Sequence, residues 1–414
     1  MLYDWSRADR QDETGAVAPS GVFFDETLRD GVQAPNVANP TIEQRLQVVD
    51  HMVRAGIRCA DLGFPGSGPA AAQASLATAR HIAAQRHPLV PGYAGRTHPT
   101  DVRAICEIAQ RAGIAVDAYV FIGISPIRQY VEDWSVSSIV RDIRVAADLC
   151  RRDGVDFVLV LEDSSRCTPG ILARVYGVAV DLGITRITLC DTVGAAVPAG
   201  ADAVVRWSTK YFERRQHEMA LEWHGHNDRG LALANSLAAL AAGCARVHGT
   251  VLGIGERAGN ASIDQLIVNS RLEHGNGHDL TALREYCEFA SRVLAVGIPP
   301  NYPAMGRDVF KTSAGVHASA ILKAHRKGDV AVKDSVYSGV PAGLLGREQE
   351  VLIDASSGAS NVRYWLAVNG VAGSDGVNGA AADGGLVEDV LRHAKRAGRP
   401  LTDDEIRRVI VTRS

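Results

Sequence analysis

Two short polar clusters have the residue types and the spacing that divalent-metal chemistry requires. His224 and His226 are separated by one residue in an extended apolar segment, so both side chains point to one face of a strand. Two imidazoles on one face can hold one metal ion. Asp30 adds a hard oxygen ligand, and the adjacent Arg29, with Gln33 nearby, offers donors to a developing oxyanion. The alternatives are a surface ion pair at a strand end and histidines that only fill ordinary core or surface positions.

Further polar segments follow other apolar runs. Glu162 and Thr192 each follow such a run, where they can orient a water, a substrate carboxylate or a thioester carbonyl. The alternative is that both segments only cap helices, for which Thr192 and Ser164 are suited. The segment Gly253–Asn260 begins like a dinucleotide fingerprint, but its third glycine comes one residue late and no βαβ unit follows. A tight loop that presents Glu256 and Asn260 is therefore favoured.

The elements that must position these residues alternate between short strands and amphipathic helices. Eight strand candidates are bounded by Gly, Pro or Asp, at residues 22–28, 59–64, 89–94, 115–122, 156–161, 186–191, 221–226 and 246–252. Eight βα units over about 250 residues are typical of an α/β fold of the (β/α)8 TIM-barrel type, which is favoured over a doubly wound open sheet. In such a barrel the strand ends carry the chemistry, and the polar clusters above lie there.

The pattern changes beyond the eighth unit, and three regions are predicted. Residues 1–20 are expected to form a flexible N-terminal arm, and residues 21–275 the TIM-barrel catalytic domain. Residues 276–414 are predicted to form small, mainly helical C-terminal subdomains, with a linker-like stretch at 371–385 that is dominated by Gly, Ala, Asp and Asn. A chain of 414 residues exceeds what one hydrophobic core usually serves.

Composition and charge exclude several classes of protein. The 44 Lys and Arg residues nearly balance 47 Asp and Glu residues and are spread along the chain, which argues against nucleic-acid binding and a membrane-surface patch. Seven scattered cysteines without a C-x-x-C pair argue against a disulfide framework. The first residues lack an apolar secretory core, and the longest apolar stretch, residues 231–245, is too short to span a bilayer. A cytoplasmic protein is expected.

Four segments together resemble the DRE-TIM metallolyase family: Asp25–Gly31, His224–Asp228, Gly253–Asn260 and Ser313–His317. Within that family the chain is similar to the Claisen-condensing branch of 2-isopropylmalate, homocitrate and citramalate synthases. The resemblance implies a transferase of amino-acid biosynthesis (EC 2.3.3). Such an enzyme condenses acetyl-CoA with a 2-oxo acid to a 2-alkylmalate- or homocitrate-like product and CoA. It also implies a divalent metal (Zn, Mn or Mg) and a homodimer in which the C-terminal region reaches the partner's active site.

The resemblance also assigns roles to single residues. It implies four metal ligands, Asp30, His224, His226 and Asn260. Arg29 would polarise the 2-oxo group, and three further catalytic residues are implied, Glu162 and the C-terminal pair His317 and Tyr337. The substrate-binding positions are Gln33, Arg96, Ser125, Arg128 and Thr192.

The chain departs from the pattern of 2-isopropylmalate synthases at the fourth strand. Those relatives tend to read Ser-Pro-Ile-His where this chain has Ser-Pro-Ile-Arg, ending at Arg128, and Gly95 replaces a commoner alanine before Arg96. A guanidinium at the mouth favours an oxo acid with a polar or anionic tail, unless Arg128 turns outward to Glu132 or Asp133. The leucine-sensing regulatory domain of full-length relatives is expected to be absent.

Three other functions stay open. One is an acyl-CoA lyase of the hydroxymethylglutaryl-CoA type, which typically carries a catalytic cysteine in a glycine-rich loop that has no counterpart in residues 253–260. A metal-dependent 4-hydroxy-2-oxo acid aldolase is the second. The third is a barrel kept as a scaffold or sensor, which is disfavoured because every ligand position is filled.

Overall fold

The computed structural model describes residues 23–275, 277–371 and 384–412. The chain divides into two compact units, the first ending at Ile298 and the second beginning at Pro299. The predicted N-terminal arm lies outside the described residues, as do residues 372–383 of the predicted linker.

The first unit is built on a closed barrel of eight parallel strands, each paired with the next in chain order and β8 with β1. The strands are β1 Phe23–Asp25, β2 Cys59–Asp61, β3 Val90–Arg96, β4 Asp117–Gly123, β5 Asp156–Glu162, β6 Arg186–Asp191, β7 Ala220–Gly225 and β8 Arg246–Gly249. The TIM-barrel prediction is confirmed. Strand β1 is shorter than its apolar pattern predicts, because the N–H groups of Asp30 and Gly31 both donate to the Glu26 carbonyl and close a turn.

Ten helices belong to the described part of this unit. They are α1 Ile42–Arg54, α2 Pro69–Gln85, α3 Pro99–Ala112, α4 Pro126–Val131, α5 Val136–Asp153, α6 Pro169–Leu182, α7 Pro198–Glu213, α8 Ala232–Ala241, α9 Ile263–His274 and α10 Leu280–Val293. Their ends follow local chemistry. Thr41 forms a capping box at α1, and proline occupies the first turn of α2, α3, α4, α6 and α7. Helix α3 ends at Gly113, whose φ of 69° lies in the left-handed region that glycine adopts without strain.

The seven cysteines of the chain all lie in the first unit, and none of them forms a disulfide. Six are buried, and Cys167 is half-buried. Burial raises the pKa of Cys59 to about 12 and that of Cys167 to about 11. Among the described helices of the chain, none combines the length and the apolar character needed to cross a membrane.

The second unit is mainly helical, as predicted. Its helices are α11 Gly315–Arg326, α12 Val330–Ser335, α13 Ala359–Val368, α14 Gly384–Ala397 and α15 Asp403–Val411. Two short parallel strands, β9 Lys311–Thr312 and β10 Glu350–Val351, pair beside them. A buried apolar cluster that includes Val362, Trp365 and Val390 joins α13 to α14 and α15.

Candidate active site

A cavity of about 240 Å³ opens where the barrel strands end. Its lining includes seven of the predicted site residues, Arg29, Asp30, Gln33, Glu162, Thr192, His224 and His226, together with Glu256. Catalytic side chains in barrels of this type come from the carboxyl ends of the strands. The structure therefore brings most of the predicted barrel residues to one site.

Asp30, His224 and His226 point their ligand atoms at one another. The two Nε2 atoms are 3.2 Å apart, and Asp30 Oδ2 lies 3.5 Å from the first and 3.4 Å from the second. Donors that share one ion at about 2.0–2.2 Å are separated by roughly 3 Å, so these distances suit a common divalent metal. All three side chains are buried. The alternative of a surface ion pair at Asp30 is wrong, because Asp30 is only 1% exposed.

Asn260 supplies the fourth predicted ligand position. Its Nδ2 donates to Asp30 Oδ2 at 2.8 Å, whereas its Oδ1 is buried with no hydrogen-bond partner in the described part of the chain. A buried carbonyl oxygen without a partner is costly, and a cation would satisfy it. Two imidazoles and two oxygen donors form a set that zinc and manganese accept readily. The residues present therefore fit a divalent ion.

The loop after β8 depends on its glycines to hold Asn260 in place. A Cβ at Gly255 would lie 1.8 Å from Asn260 Oδ1, which no real contact allows. At Gly259, φ is +86° and a Cβ would lie 2.0 Å from the Gly253 carbonyl oxygen. The glycine spacing that resembles a dinucleotide fingerprint is thus explained by the tight turn around Asn260.

Arg29 is held by carboxylates on three sides. Its Nε donates to Asp61 Oδ2 at 3.0 Å, its Nη2 contacts the Glu26 carboxylate, and Nη1 lies 3.6 Å from Asp30. Burial alone would lower the pKa of Arg29, but these carboxylates outweigh it and raise that pKa. Burial, opposed by Arg29, raises the pKa of Asp61 to about 7. The guanidinium is consequently charged and rigid at the cavity wall.

A buried polar chain behind the site was missed by the sequence analysis. Glu26 Oε2 lies 3.0 Å from His224 Nδ1, and Glu26 Oε1 lies 2.6 Å from His248 Nδ1. His248 Nε2 lies 3.0 Å from Glu222 Oε2. A carboxylate at Nδ1 sets the orientation of a ligating imidazole and leaves Nε2 for the metal. Polar residues within the apolar runs of β7 and β8 were the available signal.

The buried imidazole of His248 is expected to make the free energy of unfolding fall as the pH rises above neutrality. Burial lowers its pKa, but hydrogen bonds to Glu222 and Glu26 outweigh burial and raise it to about 9. A group whose pKa is raised by folding stabilises the folded state in full below its unfolded pKa, which is about 6.5 for histidine. That stabilisation is lost as the pH rises through the folded-state pKa of about 9. We expect the free energy of unfolding to fall by about 3 kcal/mol from this group between those limits, as measured by urea unfolding.

Comparison with a His248→Gln variant isolates that contribution. The variant should show a flatter dependence on pH than the unsubstituted protein. His274→Gln, in helix α9 of the same unit, should keep the full slope. Equal slopes for His248→Gln and the unsubstituted protein would contradict the assignment.

Glu162 and Arg128 meet at the rim of the cavity. Arg128 Nε lies 3.1 Å from Glu162 Oε1, and its Nη1 lies 3.0 Å from Glu132. Arg128 thus makes the outward pair that the sequence offered as an alternative, and it is not among the residues that line the cavity. Burial, opposed by Arg128, raises the pKa of Glu162. The guanidinium of Arg128 therefore forms ion pairs with two glutamates, Glu132 and Glu162.

Three other predicted residues have structural partners of their own. Thr192 Oγ1, which lines the cavity, accepts from the Asp163 N–H at 2.8 Å. Ser125 caps α4 and donates to Asp163 Oδ2 at 2.5 Å. Arg96, with 59% of its side chain exposed, binds Asp101 through Nε at 2.7 Å. Ser125 and Arg96 are not among the residues that line the cavity, and their roles in substrate binding stay predictions.

His317 and Tyr337 lie together in the second unit. Their rings stack with centroids 4.0 Å apart and planes inclined by 28°. His317 Nδ1 is 3.4 Å from Thr312 Oγ1, and Tyr337 is 46% exposed. A histidine in contact with a phenol is a pair able to move a proton.

The comparisons with known proteins agree on one family. The HMGL-like family model matches residues 22–291. A 2-isopropylmalate synthase of Methylacidiphilum infernorum is 32% identical over 341 residues, which cover 80% of this chain and 64% of the relative. A protein named as an (R)-citramalate synthase, from Methanopyrus kandleri, is 29% identical over 393 residues, covering 94% of this chain and 71% of that protein.

Solved structures show the same fold at lower sequence identity. A hydroxymethylglutaryl-CoA lyase from Pseudomonas aeruginosa has a TM-score of 0.54 and 22% identity, covering 67% of this chain and 94% of the lyase. The HMG-CoA lyase of Bacillus subtilis has a TM-score of 0.55 and 20% identity, covering 69% of this chain and 97% of that chain. At these identities the likeness supports the barrel fold alone.

Proposed function

Because the chain belongs to the HMGL-like family, we propose that it is an acyltransferase that condenses acetyl-CoA with a 2-oxo acid and releases CoA. The observation that carries the proposal is the convergence of Asp30, His224 and His226 beside the fixed guanidinium of Arg29. Relatives named as 2-isopropylmalate and citramalate synthases support the reaction class. The chain spans 64% of the length of the first of these, so the activity is carried over as a proposal.

The divalent metal belongs to this proposal. Asp30, His224, His226 and Asn260 would hold it, and zinc, manganese and magnesium are the candidate ions. When bound, such an ion polarises a keto oxygen as a Lewis acid. Glu26 keeps His224 oriented through Nδ1, as its 3.0 Å contact supports.

The chain's own groups then share the condensation. Arg29 donates to the keto oxygen of the oxo acid as negative charge develops there. Thr192 binds the substrate carboxylate. A base in the group His317, Tyr337 and Glu162 removes a methyl proton from acetyl-CoA, and the resulting enolate carbon bonds to the keto carbon. Water then cleaves the thioester, which yields the free acid and the CoA thiol.

Assembly, location and pathway are proposed on the family resemblance. We propose a homodimer in which the C-terminal region of one subunit, with His317 and Tyr337, reaches the active site of its partner. The near-neutral charge supports a cytoplasmic enzyme without nucleic-acid or membrane partners. The names of the relatives support a place in amino-acid biosynthesis.

The cavity wall bears on which oxo acid fits. Phe64, Ala94, Phe121 and Val160 belong to its lining, whereas Arg128 is already paired with two glutamates. A second carboxylate against such a wall would lose its hydration without gaining a partner. We therefore propose an oxo acid with a short uncharged tail, which replaces the expectation of an anionic one.

This preference is testable by kinetics. We expect kcat/KM for pyruvate or 2-oxoisovalerate to exceed that for oxaloacetate and 2-oxoglutarate by about tenfold or more. Val160→Phe places a larger side chain in the lining and so narrows the cavity. This variant should reduce kcat/KM for branched 2-oxoisovalerate more than for pyruvate. A higher kcat/KM for the dianionic acids would contradict the proposal.

The reaction class itself is tested by release of the CoA thiol. The protein is incubated with acetyl-CoA and each oxo acid of a panel, with and without a chelator. Thiol release that requires both substrates and stops with chelator supports a metal-dependent condensation. No release with any oxo acid would overturn it, and cleavage of hydroxymethylglutaryl-CoA would establish the lyase instead.

A further inference from the structure

A second cluster of metal-ligating side chains lies on the outer helices of the first unit. Asp50 is on α1, His81 is on α2, and His87 follows the end of α2. Asp50 Oδ1 lies 2.7 Å from Nε2 of His81 and 2.7 Å from Nε2 of His87. Three segments of the chain thus direct one ligand atom each to a common point.

The end of α2 is shaped to bring its two histidines together. Arg86 adopts the left-handed conformation with φ of 53°, which turns the chain back on the helix. The N–H of His87 then donates to the Ile82 carbonyl at 3.0 Å. The rings of His81 and His87 consequently lie 5.4 Å apart, inclined by 62°.

This cluster is separate from the cavity at the barrel mouth. Helix α2 leads into the start of β3 at Val90, so its last turn lies at the amino ends of the strands. In barrels of this type that face serves stability, while chemistry occupies the opposite face. None of Asp50, His81 and His87 is among the residues that line the cavity.

The cluster has both the chemistry and the accessibility of a metal site. Two imidazole nitrogens and a carboxylate oxygen are a ligand set of zinc and of similar transition metals. The side chains of His81 and His87 are 16% and 19% exposed, so they are largely held by packing. Asp50 is 40% exposed, which leaves room for water at the remaining positions of an ion.

We propose that Asp50, His81 and His87 bind a divalent transition-metal ion that ties α1 to the end of α2. Binding displaces the protons that both Nε2 atoms would otherwise share with Asp50 Oδ1. An ion held only by the folded chain raises the stability of the first unit. The proposal does not depend on the enzymatic activity.

Zinc titration of the whole chain tests the proposal. His224→Ala removes one ligand from the proposed metal site at the barrel mouth. In this variant the cluster of Asp50, His81 and His87 should still bind one Zn²⁺ per chain, as measured by dialysis and elemental analysis. Adding His81→Gln and His87→Gln should remove this ion. Asp50→Asn, which preserves the side-chain volume, should weaken zinc binding by about tenfold or more.

Thermal unfolding gives a second readout. Zinc at a hundredfold excess over its Kd should raise Tm by on the order of 5 °C in the His224→Ala protein and not after the two glutamine substitutions. His274→Gln, a control histidine in α9, should leave both zinc uptake and the Tm rise unchanged. Equal zinc uptake and an equal Tm rise with and without His81 and His87 would overturn the proposal.

Discussion

His224→Ala and Asp30→Ala are each expected to lower turnover by on the order of 10³-fold or more and to abolish binding of the proposed catalytic metal. A metal that polarises a carbonyl contributes several kcal/mol to the transition state, and each 1.36 kcal/mol is a factor of ten. Both residues supply a ligand atom to the same point in the structure. The loss of activity and the loss of metal should therefore occur together.

The barrel itself should survive both substitutions. Its core of apolar side chains, such as Phe24 and Val158, does not involve the metal. Circular dichroism and metal analysis of the purified variants, with His274→Ala in helix α9 as a control outside the site, separate the two effects. Full turnover of a His224→Ala protein that holds no metal at the barrel mouth would end the metal hypothesis.

His317→Ala and Tyr337→Phe are expected to lower kcat by about 10²–10⁴-fold while changing the KM for the oxo acid little. The stacked rings place a basic nitrogen beside a phenol, and the proposal assigns this pair to the acetyl-CoA half of the reaction. Loss of proton transfer affects the chemical step rather than binding of the other substrate. Steady-state kinetics with each substrate varied in turn gives both parameters.

A double variant sharpens this test. If His317 and Tyr337 act as one unit, the double variant should be no slower than the slower single variant. The matched control is His325→Gln, because His325 lies in the same helix as His317 and its ring contacts Tyr364 instead. This variant should retain kcat. An unchanged kcat in both single variants would move the base elsewhere, with Glu162 the next candidate.

Much of the fold could be predicted because its signals are local. Strand β6 begins and ends at the residues that its apolar pattern indicates, and helix starts follow Thr41 and the proline-containing first turns. Strand ends were harder to place. Strands β1 and β8 end three residues early, because turns that begin at Glu26 and Thr250 take over the backbone hydrogen bonds.

Some residues of the candidate site could likewise be predicted from local signals, and others could not. His224 and His226 were visible because a strand repeats every two residues. Glu26 and His248 are separated by 222 positions, and only the closure of β8 against β1 brings them together. Nor could the sequence choose between the partners of Arg128, because its guanidinium contacts one glutamate on the following turn and another on β5.

The placement of the thiols has a practical consequence for anyone who measures this protein. A disulfide dye reacts with thiolates that it can reach, and burial both shields the sulfurs and raises pKa values such as those of Cys59 and Cys167. Residues 299–414 contain no cysteine. Dye labelling of the six buried thiols therefore measures opening of the first unit and does not report on the C-terminal helices. In the proposed thiol-release assay, a blank without oxo acid therefore corrects for half-buried Cys167, and the remaining colour reports the CoA thiol as long as the first unit stays closed.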